Sequence, residues 1–282
     1  VQQGYFDTAW SDVSGSPGWV GKLLLLTLVS LIPVFGWIVV LGYLFGWARE
    51  IAWGVRAPLP ARIFGNVDGL LYSRGASVLV ILFLFSLAPF LLSCLYEGVS
   101  DVGGSVAERF LNLVPVAHVA TPMITLAASL IAVMFALVGS MRASIYGRLA
   151  SGLQINRIWT MIRYDMNGLL RIAGMAALLS LAAVGVVLVL MIVIEGLGLL
   201  VAWIVSGGGA HVWPRGFGMA LFAAFCVIAS LCLCSALVSA MMVFATTIVV
   251  RALGHWTAQF DVAHWRGQDD PLPFEEAQSS RI

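Results

Sequence analysis

Long apolar runs alternate along this chain with short stretches rich in arginine and tryptophan. Residues 75–96, 119–141 and 172–194 carry no charge, and residues 216–250 form an uncharged run of 35. A helix needs about 20 apolar residues to cross a bilayer. These four runs therefore predict four full crossings, the last either one long tilted helix or a broken one.

Residues 23–47 are apolar too, but Pro33 and Gly36 interrupt them. Proline removes a helix hydrogen bond and clashes with the preceding turn. Each arm would then measure about 17 Å, short of the ~30 Å hydrocarbon core. The expectation is a re-entrant hairpin over 22–47, both ends on one side. A single kinked span is the alternative. Before it, residues 1–21 hold Phe6 and Trp10 at i and i+4 among Asp7, Asp12, serines and glycines, a pattern suited to a short surface helix in the headgroup zone.

The polar stretches repeat a theme. In residues 43–55, Trp47, Ile51 and Val55 recur at i, i+4 and i+8, while Arg49, Trp53 and Arg56 line another face, which predicts an amphipathic helix lying in the interface. Pro58 ends it. In residues 142–171, Ile155, Ile158, Trp159 and Ile162 mark an apolar stripe, with Asn156, Arg157, Thr160 and Arg163 opposite. A third such segment spans 251–273 and holds Trp256 and Trp265, followed by an acidic tail over 274–282. On the other side, 97–117 reads as a loop with a short amphipathic turn. Residues 196–205 read as a separate re-entrant or interfacial segment, too short to span. Under the hairpin reading the chain is three repeats, each an up-and-back apolar unit followed by a surface segment.

Charge placement sets the orientation. Segments 42–74 and 142–171 carry four and five arginines, whereas 97–117 and 195–215 carry one each. The positive-inside rule places the Arg-rich side and the C-terminus in the cytoplasm. The hairpin reading puts the N-terminus there too, in a cell inner membrane.

Composition agrees. The 282 residues are 61% hydrophobic and 10% charged, against about 25% charged in soluble domains. The bilayer is the expected solvent, so the whole chain reads as one integral membrane domain. A net charge of +1 gives no reason to expect nucleic acid as a partner. The four cysteines all lie in apolar runs and suit packing better than a disulfide framework. Residues 1–21 lack the basic start and short apolar run of a cleavable signal peptide, and none is expected.

Four short motifs occur in order: Ser16-Pro17-Gly18-Trp19, then Leu31-Ile32-Pro33-Val34-Phe35-Gly36, Gly42-Tyr43 and Pro58-Leu59-Pro60. In these the chain resembles the bacterial and archaeal membrane proteins grouped as domain of unknown function 4013. The pattern is densest over residues 5–60 and looser from Gly69 onward. The resemblance implies a polytopic bacterial membrane protein and implies no activity.

Candidate chemistry is sparse. Glu195 ends a run of 23 uncharged residues. An intramembrane carboxylate is costly and raises an ion or substrate role, against the plainer reading of an interface marker; Arg215 or His211 would be its partners. Arg49, Trp53, Arg56, Arg157, Trp159, Arg163, Trp256 and Trp265 are the lipid or partner candidates, weighed against simple topology signals and interfacial anchors. His255 and His264 lack metal-ligand spacing, and no hydrolase or nucleotide-binding motif occurs. No catalytic residue, metal or cofactor is expected.

The expectation is therefore an all-α polytopic transmembrane bundle with about four full crossings, a Pro-broken N-terminal hairpin and cytoplasmic interfacial amphipathic helices. Its expected role is non-enzymatic: a scaffold or accessory subunit engaging membrane lipids, a protein partner or a homo-oligomer. The alternative is a transporter or channel built on breaks near Pro33–Gly36 and Glu195–Gly196.

Overall fold

The computed structural model describes residues 4–64, 69–110, 114–205, 217–260 and 262. All regular structure among them is helical. Five helices are long and apolar enough to cross a membrane.

Two short helices come first, α1 (Tyr5–Ser14) and α2 (Trp19–Ser30), then α3 (Phe35–Ala52). The chain between α2 and α3 turns at Pro33 and Val34, and Val34 takes φ 61°, a strained value for a β-branched residue. The base of the hairpin shows that the chain folds back. Lys22, near the start of α2, donates to Leu59 O at 2.6 Å. From the far part of α3, Tyr43 Oη donates to Pro60 O at 2.7 Å and Trp47 Nε1 to Ala57 O at 2.9 Å. Both ends of the hairpin thus meet one strap, residues 57–60. Pro58 and Pro60 have no N–H to satisfy, and the Leu59 N–H donates to Ser16 Oγ at 2.9 Å.

Four long helices follow: α4 (Leu71–Phe110), α5 (Val114–Tyr146), α7 (Met166–Val205) and α8 (Phe217–Ala258). Between α5 and α7 lie the 3-10 turn Leu149–Leu153 and the short helix α6 (Ile155–Tyr164). The long helices pair as α4 with α5 and α7 with α8, and α3 packs between α4 and α8. At 40 and 42 residues, α4, α7 and α8 each run about 60 Å, twice the ~30 Å hydrocarbon core.

Several expectations change here. Residues 97–110 and 114–117, expected in a loop, are helix, the end of α4 and the start of α5. Residues 196–205 are no separate segment, because α7 runs unbroken through Gly196 and Gly198 to Val205. A glycine costs a helix about 1 kcal/mol, too little to break a 40-residue one. Residues 217–250 of the last run belong to a single helix, α8.

The largest change concerns 43–55. It is not an interfacial helix: Tyr43, Leu44, Phe45, Trp47, Ala48, Ile51 and Ala52 are all buried. Of the expected stripe, Trp47 and Ile51 are buried, while Val55 lies past the end of α3 and is exposed; the faces between are apolar as well. A helix apolar all round belongs inside. Glycines let its neighbours close in. A Cβ on Gly42 would collide with the Leu71 carbonyl, and one on Gly75 with the Ile38 carbonyl. The α3 and α4 backbones therefore touch across a paired-glycine contact of the kind that tightens membrane helix pairs.

The molecule has two regions. A base gathers α1, α2, α3, the strap, α6 and the near ends of the long helices around one core. Two arms, the far parts of α4–α5 and α7–α8, expose Phe83, Phe90, Leu126, Leu181, Leu188 and Phe225 among others.

A polar plug and a basic rim at the base of the bundle

The base hides charge. Arg74, Arg142 and Arg251 are buried at 3%, 1% and 1% exposure. An unpartnered buried charge is costly, so each is bonded. Arg142 Nε donates to Ser151 O at 3.1 Å and Nη2 to Gln154 Oε1 at 2.9 Å, which pins the turn after α5 back onto the helix. Arg251 Nε donates to Asp12 Oδ2 at 2.7 Å and Nη1 to Trp47 O at 3.2 Å, while its guanidinium lies 3.9 Å from the Trp47 ring centroid. Its planar fork bonds and stacks at once, which an ammonium cannot do.

Asp12 is the keystone. It projects from α1 and accepts from both Arg251 and His255, the latter at 2.8 Å. An ionised carboxylate only accepts, so His255 Nε2 carries the hydrogen. Partial burial would raise the Asp12 pKa. The hydrogen bond from His255, with the charge and hydrogen bond of Arg251, outweighs it and holds the carboxyl below its usual range. This cluster ties α1, α3 and α8 together. The polar groups satisfy one another, and the arrangement is a latch.

A second carboxylate does similar work farther along α8. Asp165 precedes α7 and caps it, its Oδ1 accepting from Gly168 N at 2.9 Å. Its Oδ2 accepts from Trp256 Nε1 at 3.1 Å and Gln259 Nε2 at 3.2 Å. Nearby, burial pushes the Tyr5 phenol upward, the Asp165 charge adds to this and Arg171 opposes it.

The expected site residues fall into different environments. Trp256 is 1% exposed and is not an interfacial anchor: its indole is a core group donating to Asp165. Trp47, expected on the apolar stripe of an interfacial helix, is buried beneath Arg251. Arg49 and Trp53 are half-buried and stacked on each other at 4.4 Å. Arg56 and Arg163 are exposed and Arg157 is half-buried. Trp159 is 43% exposed and stacks on Phe135, centroids 6.1 Å apart. In the stripe on α6, Ile158 and Ile162 are buried but Ile155 faces outward, and Met161 takes the third inward place. Glu195 is exposed on α7; the partners suggested for it, His211 and Arg215, lie outside the described residues, as does Trp265. Cys94, Cys226 and Cys232 are exposed on the arms and Cys234 is buried. No cluster of metal-ligating side chains occurs among the described residues.

Sequence reasoning missed Asp12, Arg251, Arg142 and Asp165. Asp12 and Arg251 are separated by nearly the whole chain, and no local pattern links them. Arg142 and Arg251 did carry a signal. Each sits at the end of a return helix with an aromatic ring four residues on, as Arg49 does with Trp53: Tyr146 follows Arg142 and His255 follows Arg251.

Outside this plug, a basic rim remains. Arg56, Arg62, Arg148, Arg163 and Arg171 are exposed, and Asp7 is the exposed carboxylate at this end among the described residues. Exposed Trp159, Ile155 and Phe64 are interspersed.

A base of this kind beneath apolar helices of spanning length defines a polytopic α-helical membrane protein. Residues 25–194 match the model of the family described as Protein of unknown function (DUF4013), well over half of the chain. The chain belongs to that family. The match runs from α2 to the far part of α7, so it lies in the spans as much as in the N-terminal motifs; Asp12, Arg251 and His255 lie outside it. No characterised protein and no solved structure matches the chain.

Proposed function

We propose that this protein is a non-catalytic membrane scaffold or accessory subunit. Its base engages anionic headgroups of the cytoplasmic leaflet of the cell's inner membrane, and it presents its apolar arms to lipid and to a protein partner or a second copy. The carrying observation is the separation of charge at the base. Buried arginines are bonded to the protein, whereas five exposed arginines ring the outside. A basic cluster next to a membrane attracts anionic lipid by about 1 kcal/mol per residue. Arg56, Arg163, Trp159 and the half-buried Arg49, Trp53 and Arg157 remain the lipid or partner candidates.

The test is reconstitution in nanodiscs of equal phosphatidylglycerol and phosphatidylcholine, followed by native mass spectrometry. Enrichment of phosphatidylglycerol that is lost when Arg56, Arg62, Arg148, Arg163 and Arg171 are all changed to Gln supports this reading. Equal retention of both lipids overturns it. Protein mass spectrometry of mild-detergent extracts checks for a partner.

A transporter or channel is the second reading. The break at Pro33–Val34 favours it, while the unbroken α7 takes away its support near Glu195–Gly196. Solute flux in proteoliposomes that falls in Glu195→Gln would put transport first.

A further inference from the structure

We propose that α4, α5 and α6 form a site for one anionic phospholipid, its headgroup at Arg163 and one acyl chain in a groove between α4 and α5. The inference rests on the lipid-engaging reading and narrows it to a place.

The groove encloses about 250 Å³ and is bounded by Leu82, Ser86 and Pro89 of α4 and by Ser129, Ala132 and Leu137 of α5, among others. Its origin is in the side chains. Ser86, Ser129, Ala132 and Ala136 are small where the two helices face each other, so α4 and α5 leave room along about 12 Å of α5. The serines do not make it a polar site. Ser86 Oγ donates to Phe83 O at 2.7 Å and Ser129 Oγ to Thr125 O at 2.8 Å. With the hydroxyls turned to their own helices, the lining is apolar. That suits a hydrocarbon chain and suits neither an ion nor a polar solute.

An aromatic ladder joins this groove to the basic rim. Phe85 lies one residue from Ser86 and Phe135 one residue from Ala136, and their rings are 5.8 Å apart. Phe135 stacks in turn on Trp159 of α6, with ring planes 13° apart. Trp159 is partly exposed, as a ring at the membrane boundary should be. On the exposed face of α6, Ile155, Trp159 and Arg163 follow at i, i+4 and i+8. Apolar groove, boundary indole and cation thus occur in the order in which a phospholipid presents its acyl chain, glycerol region and phosphate. α6 contains Arg157 and Arg163 and no acidic residue, so its charge complements an anionic headgroup.

The test uses the full chain in nanodiscs of equal phosphatidylglycerol and phosphatidylcholine, read by native mass spectrometry under activation strong enough to strip the loose lipid shell. One retained phosphatidylglycerol per chain is expected. Ala132→Leu and, independently, Ser129→Leu fill the groove and should lose that lipid, with unchanged melting temperature showing that the fold persists. Arg163→Gln should keep a lipid but lower the preference for phosphatidylglycerol about fivefold. Retention of the lipid in both groove variants overturns the proposal. So does a retained lipid with no headgroup preference in the wild type. Enrichment of phosphatidylglycerol that is lost only in the five-arginine variant would leave the broader reading standing while sinking this site.

Discussion

In α3, 72% of an 18-residue stretch is buried, and in the span Met166–Gly196 only 6% is. The buried helix is the less apolar of the two, with mean hydropathy 1.2 against 3.1. In water that order would be reversed. In a bilayer it is expected, because lipid is as apolar as leucine and gives α7 no reason to hide. What gathers helices at the base is what lipid cannot supply: backbone contact through glycines, partners for buried guanidiniums, and a cap for α7. The arms need only to be apolar, while the base needs particular atoms in particular places.

That contrast predicts where the molecule breaks. The largest loss should follow Arg251→Ala, which strands Asp12 and His255 and removes the stack on Trp47. Removing one partner of a buried ion pair costs about 3–5 kcal/mol, and the lower end applies because Asp12 is 23% exposed. Thermal unfolding in detergent should show it, and Arg251→Lys should recover only part. Next comes Asp165→Ala. Loss of a helix cap costs about 1 kcal/mol, and the Trp256 N–H, left with only its longer bond to Asp165 O at 3.3 Å, adds about 1 kcal/mol. Gly75→Val should cost about 1–3 kcal/mol by overpacking and loosen the α3–α4 contact, which crosslinking between cysteines placed on those helices would report.

Acid should also reach the base first. The folded-state pKa of Asp12 lies below its unfolded value, so the stability it contributes is complete above about pH 4 and is lost as pH falls through the lower folded value. Melting followed from pH 6 to pH 2.5 should decline over that window, and Asp12→Asn should flatten the decline. A decline unchanged in Asp12→Asn would remove the latch from this account. The smallest effect belongs to the arms. Leu181→Ala and Leu188→Ala sit at exposed positions on α7 and should change stability by no more than about 0.5 kcal/mol. A large loss at either would mean that the arm is covered by a partner or a second copy.

Much of this architecture is visible in the order of residues. Run length sets the spans, because a helix must satisfy its own backbone over the thickness of the bilayer. Pro33 marks the turn between α2 and α3, because proline cannot donate, whereas the return arm ends at Ala52, with Gly54 at φ 79°, well before the expected stop at Pro58. Arginine counts mark one end as distinct. Each of these is local chemistry that a residue carries with it.

Tertiary structure alone decided which aromatic and basic residues are inside. Trp159 and Trp256 look alike in the sequence, each in an arginine-bearing segment. One is exposed because α6 turns it outward onto Phe135, and the other is buried because Asp165 and Phe260 close over it. Arg56 and Arg251 are equally indistinguishable until Asp12 arrives from the far end of the chain. Hydropathy and helical period report what a residue prefers. They do not report which distant segment will bring it a partner, and for a charge near a membrane that partner decides between core and rim.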